Sequence, residues 1–177
     1  MIARRRRLAR ALRDEGGQAS IEFVIVFPLF VMIMLVGIEA GMMLSRHAML
    51  ERAVDISVRN LRLGHWPEPT HQQLRDEICT HTGIIPNCGE ALLLELTPVD
   101  TATWQMPAQP PACVDRAEDM EPVTDFIEGA GNQVMLVRAC LVVDPFFPTT
   151  PLGLQLPLDA SGGFQMVSLA SFVNEPR

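Results

Sequence analysis

A long apolar run near the start of the chain is its strongest hydropathy signal. Phe23 to Ile38 is an uninterrupted stretch without a charged residue, and as a helix it reaches about 24 Å. The wider segment Ile21 to Leu44 reaches about 36 Å, which exceeds the ~30 Å hydrocarbon core of a bilayer. The pattern predicts a helix that spans a membrane.

The helical period continues beyond this run. From Ser45 to Arg62, apolar or small residues recur on one stripe, at Leu50, Val54, Ser57 or Val58, and Leu61. We therefore expect the membrane helix to continue outward as an amphipathic helix whose stripe docks on an outer domain. A coiled-coil stripe is the weaker alternative, because the pattern lasts only about two and a half heptads where three or four are usual.

Glycine, proline and helix-capping residues mark the boundaries of the elements that follow. Gly64, Pro67 and Pro69 predict the end of the first helix. Thr70 followed by Gln73 is a capping-box pattern, so a second helix is expected, running to about Thr80.

Three strands and two loops are predicted after this second helix. The strands are expected at Ala91 to Val99, Gln133 to Val143 and Gly163 to Val173, from their apolar and β-branched content. The proline-rich stretches Thr101 to Pro111 and Pro145 to Pro157 are expected to be loops. Asp115 to Gly131 is ambiguous, since Pro122 interrupts a short helical turn. These elements predict an α+β fold, in which the long N-terminal helix precedes a small domain with an antiparallel sheet.

Charge is strongly polarised along the chain. The whole chain has a formal charge of −7, and all fourteen basic residues are arginine. Residues 1–17 hold six arginines and two acidic residues, which leaves 8 Arg against 19 Asp+Glu in the remainder, a formal −11. The positive-inside rule places the basic head in the cytoplasm and the acidic remainder outside. An acidic outer domain argues against nucleic acid as a partner.

Two carboxylates lie within the wider apolar segment. Glu22 stands near its start and Glu39 near its exit. An unpaired carboxylate near the bilayer centre costs several kcal/mol, so both should lie near the membrane boundaries or find protein partners. A signal peptide would have a shorter apolar core with a cleavage site after it, and a plain membrane anchor leaves Gly16, Gly17 and Glu22 unexplained.

Four cysteines, Cys79, Cys88, Cys113 and Cys140, lie in the segment expected outside. An even number in an oxidising compartment favours two disulfides. Among three connectivities we favour Cys79 with Cys88 and Cys113 with Cys140, because the first pair closes a short loop that contains Gly83 and Pro86; the sequence alone leaves the pairing open. A zinc site that adds His71 or His81 fits no standard ligand spacing.

No catalytic constellation is evident, so the chain is not expected to be an enzyme, and neither a cofactor nor a metal is predicted. The histidines are scattered and no nucleophile elbow is present. The acidic run Asp115, Glu118, Asp119 and Glu121 is more typical of a solvated surface than of a cation site.

The spacing from Gly17 to Glu22-Phe23, between arginines and a membrane helix, resembles the processing site of prepilins of the Flp/Tad class of type IV pili. The resemblance implies that a membrane-embedded prepilin peptidase cuts between Gly17 and Gln18. It also implies that Glu22 neutralises the new α-amino group of a neighbouring subunit during assembly. In lipid, a carboxylate is far less costly when an ammonium group lies beside it.

The resemblance extends to the TadE-like pseudopilins, the minor pilins of the tight-adherence system. It rests on the Glu22-Phe23 opening, on Pro28, and on the exit from Gly37 to Gly41 with Glu39 as candidate helix-exit carboxylate. It is sharpest over residues 16–44 and looser over the four cysteines and the closing stretch 172–176. Major Flp pilins match poorly because they are little more than this helix, and the Asp-x-Ser-x-Ser loop of TadG-like proteins is missing its second serine at Asp55 to Arg59.

This resemblance implies a type IV pilin-like protein in three parts: a basic cytoplasmic leader (1–17), a transmembrane and amphipathic helix (18–62) and a periplasmic domain (63–177). The implied function is assembly of an adhesive Flp/Tad pilus from the bacterial inner membrane. The implied partners are a prepilin peptidase, other pilins, the inner-membrane assembly platform and the lipid bilayer. The alternative is an uncleaved single-pass protein whose acidic outer domain binds a cell-envelope ligand.

Overall fold

A single helix opens the structure, a computed structural model that describes residues 18–118 and 122–175. Helix α1 (Gln18–Arg62) contains 45 residues, a length of about 67 Å. The predicted membrane helix and its amphipathic extension are therefore one continuous element. The other elements are helices α2 (His71–His81) and α3 (Cys88–Ala91), strands β1 (Leu92–Val99), β2 (Val134–Val143) and β3 (Phe164–Val173), and a 3-10 turn at Gly153–Gln155.

The N-terminal half of α1 lies outside the folded domain. Side chains from Ser20 to Ile38 are exposed or at most partly buried, although nearly all of them are apolar. Within the described residues, α1 is the one helix that is long and apolar enough to cross a membrane, judged by length and composition. We refer to residues 21–38 as the candidate span.

The C-terminal half of α1 packs on the domain along the predicted stripe. Its buried residues there are Leu50, Ala53, Val54, Ser57, Val58 and Leu61. The stripe also extends further toward the membrane than expected, because Glu39, Met43 and Arg46 are buried at the same helical spacing.

Helix α2 begins where the sequence predicts. The N–H of Gln73 donates to the Thr70 hydroxyl oxygen (3.2 Å), and the N–H of Thr70 donates to the Gln73 side-chain oxygen (3.2 Å). This capping box satisfies two backbone donors that the first helical turn leaves free. The helix ends at His81, and its inward residues Leu74 and Ile78 are fully buried.

The sheet has the order β1-β2-β3 and both of its pairings are antiparallel. One face, which carries Leu94 of β1 and Val137 of β2, packs with α1 and α2 in the main core. The α+β fold and the three strands are confirmed. β1 begins one residue later than predicted, because the N–H of Ala91 donates to the Asn87 carbonyl (3.1 Å) and closes the short helix α3.

A loop covers part of the opposite face of the sheet. Leu93, Val114 and Val142 form a second, smaller core there. A disulfide joins Cys113 of the loop to Cys140 of β2, and the buried cross-strand pair Glu95 and Arg138 binds the loop backbone through Ala112 N–H (2.8 Å) and the Gln109 carbonyl (2.7 Å). The second disulfide joins Cys79 of α2 to Cys88 of α3. These are the two pairs that the sequence analysis favours.

The ambiguous segment 115–131 contains no extended helix in its described part. It lies beside β1 through one parallel bridge, where Leu96 N–H donates to the Asp125 carbonyl (2.9 Å) and Ile127 N–H donates to the Leu96 carbonyl (2.8 Å). Asp119 and Glu121 of the acidic run lie outside the described residues.

The packing of α1 predicts unequal effects of two identical substitutions. Leu50 is fully buried, whereas Leu44 on the same helix is 70% exposed. Leu50→Ala should lower the free energy of unfolding by about 2–5 kcal/mol, because it leaves a cavity between helix and sheet. Leu44→Ala should change it by less than about 0.5 kcal/mol. Denaturant unfolding of the full chain in mild detergent, followed by tryptophan fluorescence, measures both; equal losses would contradict the docking of α1.

Candidate functional site

The predicted processing site falls at the start of α1. Helix α1 begins at Gln18, and Gly17 lies outside the described residues, as does the whole basic leader. Glu22 is exposed, and no described residue hydrogen bonds to its carboxylate. The Phe23 ring is 61% exposed and stacks on the Phe27 ring with a centroid distance of 4.8 Å. From Ile21 to Phe27, α1 thus presents one carboxylate among exposed apolar side chains.

Glu39 has the opposite environment, for its side chain is completely buried. The backbone N–H groups of Phe146 and Phe147 donate to its two carboxylate oxygens at 3.1 Å and 2.7 Å. A buried carboxylate is costly unless donors replace the water it loses, and here each oxygen has a backbone donor. The helix-exit carboxylate is therefore the point where the domain is fixed to the end of the candidate span.

Arg46 makes a second contact with the same loop, two turns further along α1. Its guanidinium donates to the Asp144 carbonyl (3.0 Å) and lies 4.4 Å from the centre of the Phe146 ring. Arg46 is 5% exposed and Phe146 is 50% exposed, so the guanidinium lies largely out of water against a half-exposed ring. Glu39 and Arg46 together hold residues 144–147, and we call these six residues the helix–domain clamp.

An ion pair extends the clamp to the rest of its loop. The Arg116 guanidinium donates to both carboxylate oxygens of Asp144, at 3.0 Å and 2.7 Å, and its third nitrogen donates to the Ser161 hydroxyl (3.0 Å). The hydrogen bonds from Arg116 lower the pKa of Asp144 below its usual value, against an opposing effect of partial burial. This pairing joins the start of the β2–β3 connection to its end.

The carboxylate of Asp159 organises the end of the same connection. It accepts hydrogen bonds from the N–H groups of Ser161 and Gly163, both at 2.9 Å. Burial raises the pKa of Asp159, but the hydrogen bonds from Ser161 and Gly163 outweigh it, and the net pKa is lowered. Asp159 is thus held as a carboxylate at the turn into β3.

The clamp lies at the end of the domain that is nearest the candidate span. Leu61, at the far end of α1, lines a cleft of about 250 Å³ together with Met135 at the start of β2. The end of β2 leads into Asp144, which Arg46 contacts. Strand β2 therefore runs back along α1 toward the span, and the β2–β3 connection (144–163) forms the span-proximal end of the domain.

No group of three or more His, Cys, Asp or Glu side chains suited to a metal ion occurs among the described residues. All four cysteines are oxidised in the two disulfides, so they are structural cross-links rather than candidate ligands.

Sequence reasoning identified Glu39 but missed its partners. Arg46 follows Glu39 by seven residues, which is two helical turns, so a buried stripe that includes both could have been recognised. The donors at Phe146 and Phe147 are backbone amides, for which the sequence carries no signal.

Comparison with known proteins gives one match, and it covers the helix that carries Glu39 and Arg46. The family model described as TadE-like protein matches residues 17–59. The match confirms the predicted resemblance over the candidate span, Glu39 and Arg46. No curated protein and no solved structure matches the chain.

The match covers 43 of the 177 residues, so over about a quarter of its length the chain is similar to TadE-like proteins. The match ends at residue 59, and so includes the helical half of the helix–domain clamp but not the loop from Asp144 to Phe147.

The clamp predicts that two backbone amides lose their protection against hydrogen exchange when the Glu39 carboxylate is removed. Glu39→Ala should leave the amides of Phe146 and Phe147 buried without acceptors, at a cost of about 1–3 kcal/mol for each. Hydrogen exchange of these two amides in the full chain should accelerate accordingly. Glu39→Gln should have an intermediate effect, because its one amide oxygen can still accept.

Glu51→Ala is the matched control for this experiment, since Glu51 is on the same helix with its side chain 60% exposed. Unchanged exchange at both amides in Glu39→Ala, or equal acceleration in Glu51→Ala, would refute the clamp.

Proposed function

We propose that this protein is a minor pilin precursor of a Flp/Tad pilus, cut after Gly17 by a prepilin peptidase and assembled with other pilins through α1. The observation that carries the proposal is the TadE-like match, which runs from Gly17 into the helix that begins at Gln18. Cleavage there would give a mature chain whose first residue starts the apolar helix.

The environment of Glu22 supports a role in subunit contacts. Its carboxylate is exposed on the candidate span, with no described residue bonded to it. In lipid that arrangement is costly for a lone subunit, and an α-amino group of a neighbouring mature chain supplies the opposite charge. Glu22 therefore favours pairing with a second pilin, while Glu39 is already satisfied within its own chain.

Charge and cysteine chemistry support the proposed topology. The six arginines of residues 1–17 favour a cytoplasmic head, and the acidic domain, with two disulfides, suits the oxidising periplasm. In this arrangement the protein is anchored in the inner membrane, and the assembly platform acts on its helix. We propose no catalytic role for the chain, which is the substrate of the peptidase.

Intact-mass spectrometry tests the processing step. The protein from membranes that contain a co-expressed prepilin peptidase should begin at Gln18, and without the peptidase it should keep its leader. Gly17→Ala should abolish cutting, whereas Gly16→Ala, one residue earlier, should not. A chain that keeps its leader in every sample would overturn the precursor proposal and favour an uncleaved membrane protein with a ligand-binding envelope domain.

Substitution of Glu22 tests assembly separately from processing. Glu22→Gln removes the charge with little change in shape, so cutting after Gly17 should persist while co-purification with partner pilins falls by about tenfold or more, as expected for loss of an ion pair in lipid. Glu51→Gln is the control, because Glu51 lies on the same helix outside the candidate span. Normal co-purification of the Glu22→Gln chain would refute the assigned role.

A further inference from the structure

A charge-free segment lies within the acidic domain. Residues 145–158 contain no charged residue, although the chain from Gln18 onward carries 19 acidic residues and 8 arginines. Three large apolar side chains of this segment are exposed, Phe146 by 50%, Leu154 by 73% and Leu158 by 39%. We call residues 145–158 the apolar loop.

The clamp places the apolar loop at the end of the candidate span. The span from Ile21 to Ile38 is 18 residues long, which is about 27 Å as a helix and close to the ~30 Å hydrocarbon thickness. Glu39 is the next residue, and its carboxylate binds the backbone of Phe146 at 3.1 Å. The exposed ring of Phe146 therefore belongs to a residue fixed at the level where the hydrocarbon ends.

Partial burial on α1 continues past Glu39 into the last turn of the candidate span. Within the candidate span Leu35 and Val36 are partly buried, while Met34 is 46% exposed and Ile38 is 45% exposed. Leu35 lies one turn before Glu39 on the same face of the helix. The partly buried face thus extends one turn past Glu39 into the span, as expected for a domain that rests on the bilayer.

The carboxylates that flank the apolar loop are engaged within the domain. Asp144 is paired with Arg116, and Asp159 accepts the N–H groups of Ser161 and Gly163. The two ends of the loop therefore carry bonded charges, while the loop between them presents apolar side chains.

We propose that the apolar loop is a second membrane contact, which inserts Phe146 and Leu154 into the headgroup and acyl-chain boundary of the outer leaflet. The occupant is lipid, because the surface is continuous with the candidate span and lies at the depth where apolar and aromatic side chains favour the interface. The inference rests on the membrane span of the proposed function. It adds that the domain is seated on the bilayer rather than held above it.

Depth-dependent fluorescence quenching tests this inference with the full chain. The native tryptophans Trp66 and Trp104 are first replaced by phenylalanine, and Phe146→Trp or Leu154→Trp then supplies a single reporter. Each chain is reconstituted into vesicles of phosphatidylethanolamine and phosphatidylglycerol that contain lipid brominated close to the headgroup. Both reporters should lose roughly half of their fluorescence, as expected for an indole at the interface.

Two matched chains serve as controls, one with its reporter outside the bilayer and one with its reporter inside it. Trp66→Phe alone leaves Trp104, which is 61% exposed in the loop after β1, at the far end of the sheet, and its emission should not change. Phe30→Trp in the reporter background lies within the candidate span and should be quenched, most strongly by bromine placed deeper in the acyl chain.

The outcomes separate the inference from the proposed function. Quenching of the Phe30→Trp chain without quenching of the Phe146→Trp and Leu154→Trp chains would overturn the inference and leave the span intact. No quenching of the Phe30→Trp chain would overturn both. Reporter emission that depends on the protein-to-lipid ratio and not on bromine would assign the surface to a second copy of the chain, which also overturns the inference.

Discussion

A carboxylate at the end of an apolar helix must be given hydrogen-bond donors, and this requirement organises the structure around Glu39. Its donors come from Phe146 and Phe147, which follow it by 107 and 108 residues. That long-range contact fixes both the height of the domain along α1 and the face of the helix that it covers. The buried stripe then continues from Glu39 through Arg46 to Leu61 at helical spacing. The clamp and the hydrophobic core therefore use the same face of α1.

The two faces of the sheet are covered by different means. Helices cover one face through apolar packing, with Leu50 and Ile78 fully buried in the core. The opposite face is covered by a proline-rich loop that lacks regular hydrogen bonding, and it is held by Cys113–Cys140 and by the Glu95–Arg138 pair. A disulfide suits a loop that makes few apolar contacts. It lowers the conformational entropy of the unfolded chain, and so stabilises the folded loop without further packing.

Local signals allowed much of this fold to be predicted from the sequence. The capping pattern at Thr70 and Gln73 located α2, and the β-branched and apolar runs located three strands to within one residue. These signals depend on neighbouring residues, so a single sequence contains them.

The parts that the sequence did not reveal depend on distant contacts. Nothing near Glu39 in sequence indicates the amides that bind it, and the short helix α3 follows the turn at Asn87, which has a left-handed backbone (φ 51°). Charge pattern and spacing could single out Gly17, Glu22 and Glu39 as candidates. Only the fold separates the fully buried Glu39 from the exposed Glu22.

The parallel course of α1 and the sheet has a mechanical consequence. Strand β2 runs back along the helix from the level of Leu61 to the level of Arg46, so a force applied along the helix axis loads the interface in shear. The contacts of the stripe must then yield together, whereas a force across the axis would peel them apart one at a time. A domain attached in this way resists axial traction on its anchor, which is the direction in which a membrane helix is drawn out of a bilayer.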